Sequence, residues 1–291
     1  MKNKFSFIPA LVLPLMGCSN VNEKPNIIFI LADDLGFAEV SCNGSDRYKT
    51  PNIDRLAENG MRFTHGYTAP LSGPSRAMLQ TGRHLFRTGC TNQDVCSQLI
   101  TPQSEVFIPK ILAEAGYATT QIGKWGQLPL GPADFGYEDH LQFRGSGTYW
   151  NTQERGKTYF LNGKVTPLLD NEYLPDLMHK HLIEFIDKNK NRPFFAYYSL
   201  SHVHADILPT PDSKKETSDL KDLYVDNINY MDKLVGMLIS ELEKRNLIDN
   251  TMIIFFGDNG TAGNYADLAT IGGRRLSGQK GSMLEAAVLY L

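Results

Sequence analysis

Two apolar runs far apart in the chain constrain the fold more than any other feature of the sequence. Asn26-Ile27-Ile28-Phe29-Ile30-Leu31-Ala32 is rich in β-branched residues and stops at Asp33-Asp34. Thr251-Met252-Ile253-Ile254-Phe255-Phe256 repeats the pattern and stops at Gly257-Asp258-Asn259-Gly260. Runs without polar alternation suit strands buried on both faces, as inside a parallel sheet. Two more strand candidates are YATTQIG, which delivers Lys124, and PFFAYYSLS, which delivers His202 and His204. Helical patterns lie between them: PNIDRLAENG, SRAMLQTG, IPKILAEAG, LPDLMHKHLIEFIDKN and DLYVDNINYMDKLVGMLISELEKRN. The alternation predicts an α/β fold with a mostly parallel central sheet flanked by helices. Ligands bind beyond the carboxyl ends of such strands. Asp33, Asp34, Lys124, His202, Asp258 and Asn259 all take that position. Turn chemistry accounts for any one of them, but six together point to a site.

The amino terminus reads as an export signal. Lys2 and Lys4 precede the apolar run FIPALVLPLMG, too short to remain as a membrane span, so residues 1–17 are set aside as a signal peptide. Leu15-Met16-Gly17-Cys18 resembles a bacterial lipobox, which implies lipidation of Cys18 and anchoring to a membrane face. Residues 18–24 then form a polar tether, and residues 25–291 one enzyme-sized domain. A hydrophobic content of 42% suffices for its core, and a net charge of −3 offers no global attraction to nucleic acid. Besides Cys18 there are Cys42, Cys90 and Cys96. Export permits a Cys90–Cys96 bridge, and the odd count leaves that pairing open.

The stretch Ser72-Gly73-Pro74-Ser75-Arg76 presents an oxyanion site. Pro74 fits the first position of a helix, with Ser72 and Gly73 at its cap, where free N–H groups and the positive dipole end favour anions. Arg76, one turn in, adds a fork of donors suited to sulfate, phosphate or carboxylate.

This stretch, continued by TGR, resembles the signature of the sulfatase family, part of the alkaline-phosphatase-like superfamily, in its serine-headed S-x-P-S-R form. FILADDLG, TPNIDRLAENGMRFTHGY, IGKWG, FFGDNG and GQKGSMLE extend the resemblance from Asn26 to about Glu285. It implies hydrolysis of sulfate esters, on sulfated glycans given the surface anchor, by a formylglycine made from Ser72. A serine-headed signature implies an anaerobic sulfatase-maturating enzyme as partner, and a bacterial host with the protein in the periplasm or at the cell surface. The residues matching Asp33, Asp34, Asp258 and Asn259, with converted Ser72, bind one divalent cation. All-oxygen donors suit Ca²⁺, or Mg²⁺, over zinc. Arg76 matches the arginine that steadies the formylglycine, and Lys124 and Lys280 match lysines at the sulfate group. His202 matches the histidine that protonates the leaving alcohol, with His204 the alternative two positions on.

The chain departs from the family pattern in two places. Gly126 stands where many sulfatases have a histidine that acts on the aldehyde hydrate, leaving His65, His84 or His204 as stand-ins. The sequence also stops in the apolar run Ala286 to Leu291, so the usual smaller C-terminal subdomain is expected to be missing and the run to form an unpaired strand edge. Arg144, Arg274 and Arg275 are candidates for an acidic sugar. Two other readings stay open at this level: a phosphomonoesterase or phosphodiesterase using unmodified Ser72, and a non-catalytic lipoprotein that binds sulfated glycans.

Overall fold

The computed structural model describes residues 24–126 and 130–290. The signal segment, Cys18 and the tether up to residue 23 lie outside the described residues. The elements begin with β1 (Asn26–Ala32), α1 (Pro51–Glu58), β2 (Gly66–Tyr67), α2 (Ser72–Thr81), α3 (Leu85–Thr88), α4 (Gln93–Leu99), α5 (Ile108–Glu114) and β3 (Ala118–Lys124). Next come β4 (Asp139–Phe143), β5 (Thr158–Leu161), β6 (Lys164–Pro167), α6 (Leu174–Asn189), β7 (Phe194–Ser199) and α7 (Leu220–Lys244). The chain closes with β8 (Thr251–Gly257), β9 (Thr270–Ile271), β10 (Arg274–Arg275), α8 (Glu285–Val288) and β11 (Leu289–Tyr290). No described helix is long and apolar enough to cross a membrane.

A seven-stranded sheet in the order β6-β5-β4-β3-β7-β1-β8 forms the centre. Its five strands from β4 to β8 pair in parallel, and only the β4–β5 and β5–β6 pairings are antiparallel. The mostly parallel α/β fold read from the apolar runs is the observed one. Alternate side chains of β7 divide between two cores. Phe194, Ala196 and Tyr198 pack with α6 and α7 residues such as Leu182, Leu234 and Leu238, while Phe195 and Tyr197 pack with Phe107, Trp125 and Phe135. Each such Leu or Phe contributes about 1.5–3 kcal/mol by burial, so the two cores hold the sheet's register fixed. That register aligns the strand ends: Leu31 pairs with both Ser199 and Phe256, and Gly123 pairs with Ser199. The residues that follow therefore emerge side by side.

The second apolar run is an edge strand rather than a doubly buried one: β8 pairs only with β1, and Met252 is 52% exposed. The C-terminal run differs from expectation more sharply. It folds into the short helix α8, whose Ala287 is fully buried and accepts from the Gly260 amide at 3.0 Å, and then pairs as β11 with β2. The expected unpaired edge at Leu289–Tyr290 is thus occupied, because the segment closes over the loop that follows β8. Helix α2 also starts two residues earlier than the proline rule suggests. Leu71 is its cap and Ser72 its first residue, which leaves Pro74 third, where its missing N–H is still one that the helix does not use.

A disulfide joins Cys90, in the loop before α4, to Cys96 in the middle of that helix, while Cys42 is free and half-buried. Closing so short a loop removes modest entropy from the unfolded chain. The double replacement by Ala is therefore expected to cost about 2 kcal/mol, read as a lower denaturation midpoint at unchanged slope in urea.

Candidate active site

Asp33 and Asp34 follow β1 directly, and Asp258 and Asn259 follow β8. The Asp258 amide continues the ladder to the Ala32 carbonyl at 3.0 Å, and the Asp34 amide donates to Asp258 Oδ1 at 3.1 Å. Asp34 adopts φ 65°, a left-handed turn that Asp tolerates better than most residues. Asn259 Nδ2 donates to Asp34 Oδ1 at 2.8 Å, whereas its Oδ1 is buried without a hydrogen-bond partner. Three carboxylates and one amide oxygen are thereby gathered at one end of the sheet.

The first residue of α2 is aimed into this group. Ser72 Oγ lies 3.1 Å from Asp33 Oδ1, within hydrogen-bond reach of Asp258 Oδ2, and accepts from Lys124 Nζ at 2.9 Å. Lys124 also donates to both Asp33 oxygens at 2.8 and 2.9 Å. Arg76 is fully buried: Nη2 and Nε donate to Asp258 Oδ2 at 2.8 and 3.1 Å, and Nη1 donates to the Lys124 carbonyl at 3.1 Å. Lys280 Nζ reaches Asp34 Oδ1 at 2.6 Å and Oδ2 at 2.8 Å. Burial alone would raise the Asp33 carboxyl, but Lys124 and Arg76 hold it well below the usual range. Burial and the neighbouring Asp33 charge push Asp258 upward. Burial draws the Lys124 ammonium down, against the pull of Asp33.

The structure places the two candidate histidines in different surroundings. Strand β7 ends at Ser199, and the loop beyond it turns His202 inward and His204 outward. His202 is fully buried, its Nε2 2.8 Å from the Tyr173 hydroxyl and its ring against Tyr149 and Tyr230. The loop is pinned by two short backbone bonds, Asp33 amide to His202 carbonyl at 2.7 Å and Val203 amide to Asp33 carbonyl at 2.6 Å. His204 instead lines the cleft in front of Ser72, with Nε2 3.6 Å from Asp34 Oδ2. His202 therefore belongs to the core, and its burial pulls the imidazole from 6.5 to about 3. It stays neutral in the folded protein but charges in the unfolded chain below pH 6.5. Stability is expected to fall by about 5 kcal/mol as pH drops from 6.5 toward 3. A His202→Gln variant that keeps the parent's acid sensitivity in urea melts would contradict this.

Tyr149, which no motif flags, holds the same loop: its hydroxyl lies 3.0 Å from the Ser201 carbonyl and 2.8 Å from the His204 carbonyl. Its burial beneath the site was not readable from a Tyr149-Trp150 pair in a Gly- and Ser-rich stretch. At Gly126, φ is +91° and a Cβ would sit 2.9 Å from Arg76 Cδ, so this backbone leaves no room for a histidine. His65 is exposed beside Thr64, and His84 caps α3; neither lines the cleft. The arginines proposed for an acidic sugar are also elsewhere. Arg144 lies over the Phe160 ring, Arg275 pairs with Asp267, and Arg274 is exposed on β10.

The cleft has a volume of ≈ 440 Å³, enough for a sugar ring, and Ser72, Lys124 and Lys280 are among its lining residues. A serine at the head of a helix, facing carboxylates at the carboxyl edge of a parallel sheet, is consistent with an α/β protein of the alkaline-phosphatase-like superfamily. Within it, the sulfatase model matches residues 25–287, and the chain belongs to the sulfatase family. It is 29% identical to N-acetylgalactosamine-6-sulfatase of Mus musculus, covering 87% of this chain and 54% of that protein. It is likewise 29% identical to N-acetylgalactosamine-6-O-sulfatase of Bacteroides thetaiotaomicron, covering 89% and 65%. The crystal structure of Ps i-CgsB in complex with k-i-k-neocarrahexaose superposes with a TM-score of 0.77 at 32% identity, covering 92% of this chain and 65% of that one. The chain thus spans about half to two thirds of the length of these relatives.

Proposed function

We propose that this chain hydrolyses sulfate esters of glycans, using Ser72 converted to formylglycine and one divalent cation. The observation that carries the reading is the surroundings of Ser72: its hydroxyl meets two carboxylates, a lysine and, at 3.4 Å, the Arg76 guanidinium, and no free base. Asp33 and Asp258 are both engaged by cations, so nothing there is fitted to deprotonate a serine. A sulfated serine would also have no ready exit. As the hydrate of an aldehyde, the same position carries two hydroxyls on one carbon, so one attacks sulfur as the substrate alcohol leaves, and loss of the other's proton then expels sulfate and restores the aldehyde.

The donor set fits a hard cation. Asn259 Oδ1 is buried and unpartnered, and the carboxylates of Asp33, Asp34 and Asp258 converge beside it. These four would hold Ca²⁺, or Mg²⁺, together with the converted Ser72. The cation supplies Lewis acidity, lowering the pKa of a bound hydroxyl and drawing charge from a sulfate oxygen. Asp33, Asp34 and Asp258 are balanced by Arg76, Lys124 and Lys280, so a divalent ion leaves the site net positive and suited to a sulfate ester. Lys124 and Lys280 then stabilise the sulfuryl oxygens, and Arg76 fixes Asp258 and position 72. His204, facing the cleft, protonates the leaving alcohol.

A second reading of His204 has its own support: one ligand atom each from Asp33, Asp34 and His204 lies within 4.8 Å of the others, close enough to share an ion. His204→Ala separates the two roles. As the acid, its loss lowers kcat/KM about 10²-fold on sugar sulfates, less on aryl sulfates with acidic leaving groups, with cation binding retained. As a ligand, its loss removes cation-dependent thermal stabilisation. The function itself is tested by sulfate release from sulfated N-acetylhexosamines and carrageenan oligosaccharides. Faster phosphate release from matched phosphate esters would overturn it. The sulfated-glycan class follows the N-acetylgalactosamine-6-sulfatases among the relatives and the k-i-k-neocarrahexaose in complex with Ps i-CgsB. Export through residues 1–17, a lipid anchor at Cys18 and maturation by an anaerobic sulfatase-maturating enzyme complete the proposal.

A further inference from the structure

We infer that helix α4 is the specificity wall of the cleft. It selects a sugar whose face toward α4 carries free hydroxyls rather than a second anionic group. The inference rests on the sulfate-ester reading and names the substrate feature that reading leaves open. Gln93, Asp94 and Ser97 of α4 line the same cleft as Lys124 and Lys280. Their spacing, i, i+1 and i+4, puts them on one helical face. The helix is fixed in three ways. Asn92 caps it, accepting from the Val95 amide at 3.0 Å, and the Cys90–Cys96 disulfide ties its middle to the preceding loop. Gln93 Nε2 donates to the Gly126 carbonyl, and Gln93 packs so closely on Gly73 that a Cβ there would lie 2.7 Å from its Oε1. The wall is thus rigidly placed against the head of α2, so its groups are preorganised for a ligand.

The charge distribution decides what it takes. Among the described residues, the lysines lining the cleft, Lys124 and Lys280, belong to the proposed sulfate end. Among the described lining residues the remaining polar side chains, apart from Ser72 and the Trp125 indole, are Gln93, Ser97, Ser146, His204 and the Asp94 carboxylate. Asp94 accepts hydrogen bonds from hydroxyls and repels a second sulfate or a uronate, and discrimination comes from that repulsion.

The test measures binding of an N-acetylhexosamine monosulfate and the corresponding disulfate to the calcium-loaded chain by calorimetry. The parent should favour the monosulfate. Asp94→Asn should shift the ratio about fivefold toward the disulfate, and Asp94→Lys further. Ser97→Lys, on the same face, should shift it in the same direction and guards against a fold defect peculiar to position 94. A ratio unmoved within twofold in folded variants, a parent that prefers the disulfate, or no binding of either sugar would overturn the inference. Binding does not require conversion of Ser72. Failed sulfate release with a shifted ratio therefore counts against the catalytic reading alone, and release with an unmoved ratio against the wall alone.

Discussion

Asp258→Ala is expected to abolish both sulfate release and calcium-dependent thermal stabilisation. Asp258 is where the two charge systems meet: it accepts from Arg76 at 2.8 and 3.1 Å and from the Asp34 amide at 3.1 Å, and it touches Ser72. Its loss removes one oxygen donor of the proposed cation. It also leaves Arg76 buried with Asp33 at 3.5 Å as its remaining carboxylate partner. Stranding a buried charge costs about 3–5 kcal/mol, so the melting temperature without calcium should fall as well. Asp258→Asn, which keeps the shape, separates these effects. It should remove the calcium-induced shift and lower kcat by at least about 10³. A parent-sized calcium shift in Asp258→Asn would take Asp258 out of the cation site.

The second large effect concerns position 72. Ser72→Ala should lower kcat by about 10⁴ or more, because no other hydroxyl in the site has comparable surroundings. Lys124 donates to Ser72 and to both oxygens of Asp33. The variant should therefore fold, bind calcium and retain sugar-sulfate binding. It should stay inactive whether or not the maturating enzyme is present. Ser72→Cys is the informative companion, since a cysteine-directed converting enzyme can restore the aldehyde there. Measurable turnover by Ser72→Ala would place the nucleophile elsewhere.

How much of this was legible in the sequence depended on whether a local rule fixed the outcome. The apolar runs of β1 and β8 ending at Asp33-Asp34 and Asp258-Asn259 declared parallel strands and a shared edge, because neither run alternates with polar residues. The SGPSR segment declared an anion-facing helix start. His204 could not be chosen over His202 by strand alternation, because the strand ends at Ser199 and the backbone bonds to Asp33 turn the loop. Strands β4 to β6 were missed. The residues of β5 and β6 are half-buried or exposed, so their pattern is weak. The pairing of β11 with β2 joins two-residue segments far apart in the chain, and no periodicity marks it. Tyr149 and the α4 wall act through tertiary placement, which single residue types do not announce.

The central claim is that an oxidised residue 72, not a serine hydroxyl, carries out the chemistry. The most direct test is the mass of the Ser72 peptide from chain expressed with and without an anaerobic sulfatase-maturating enzyme, paired with sulfate release by the same samples. The account predicts a peptide lighter by two hydrogens in the active sample, with turnover proportional to the converted fraction and near background in the unconverted one. Full sulfate release from chain whose Ser72 peptide has its unmodified mass would contradict it.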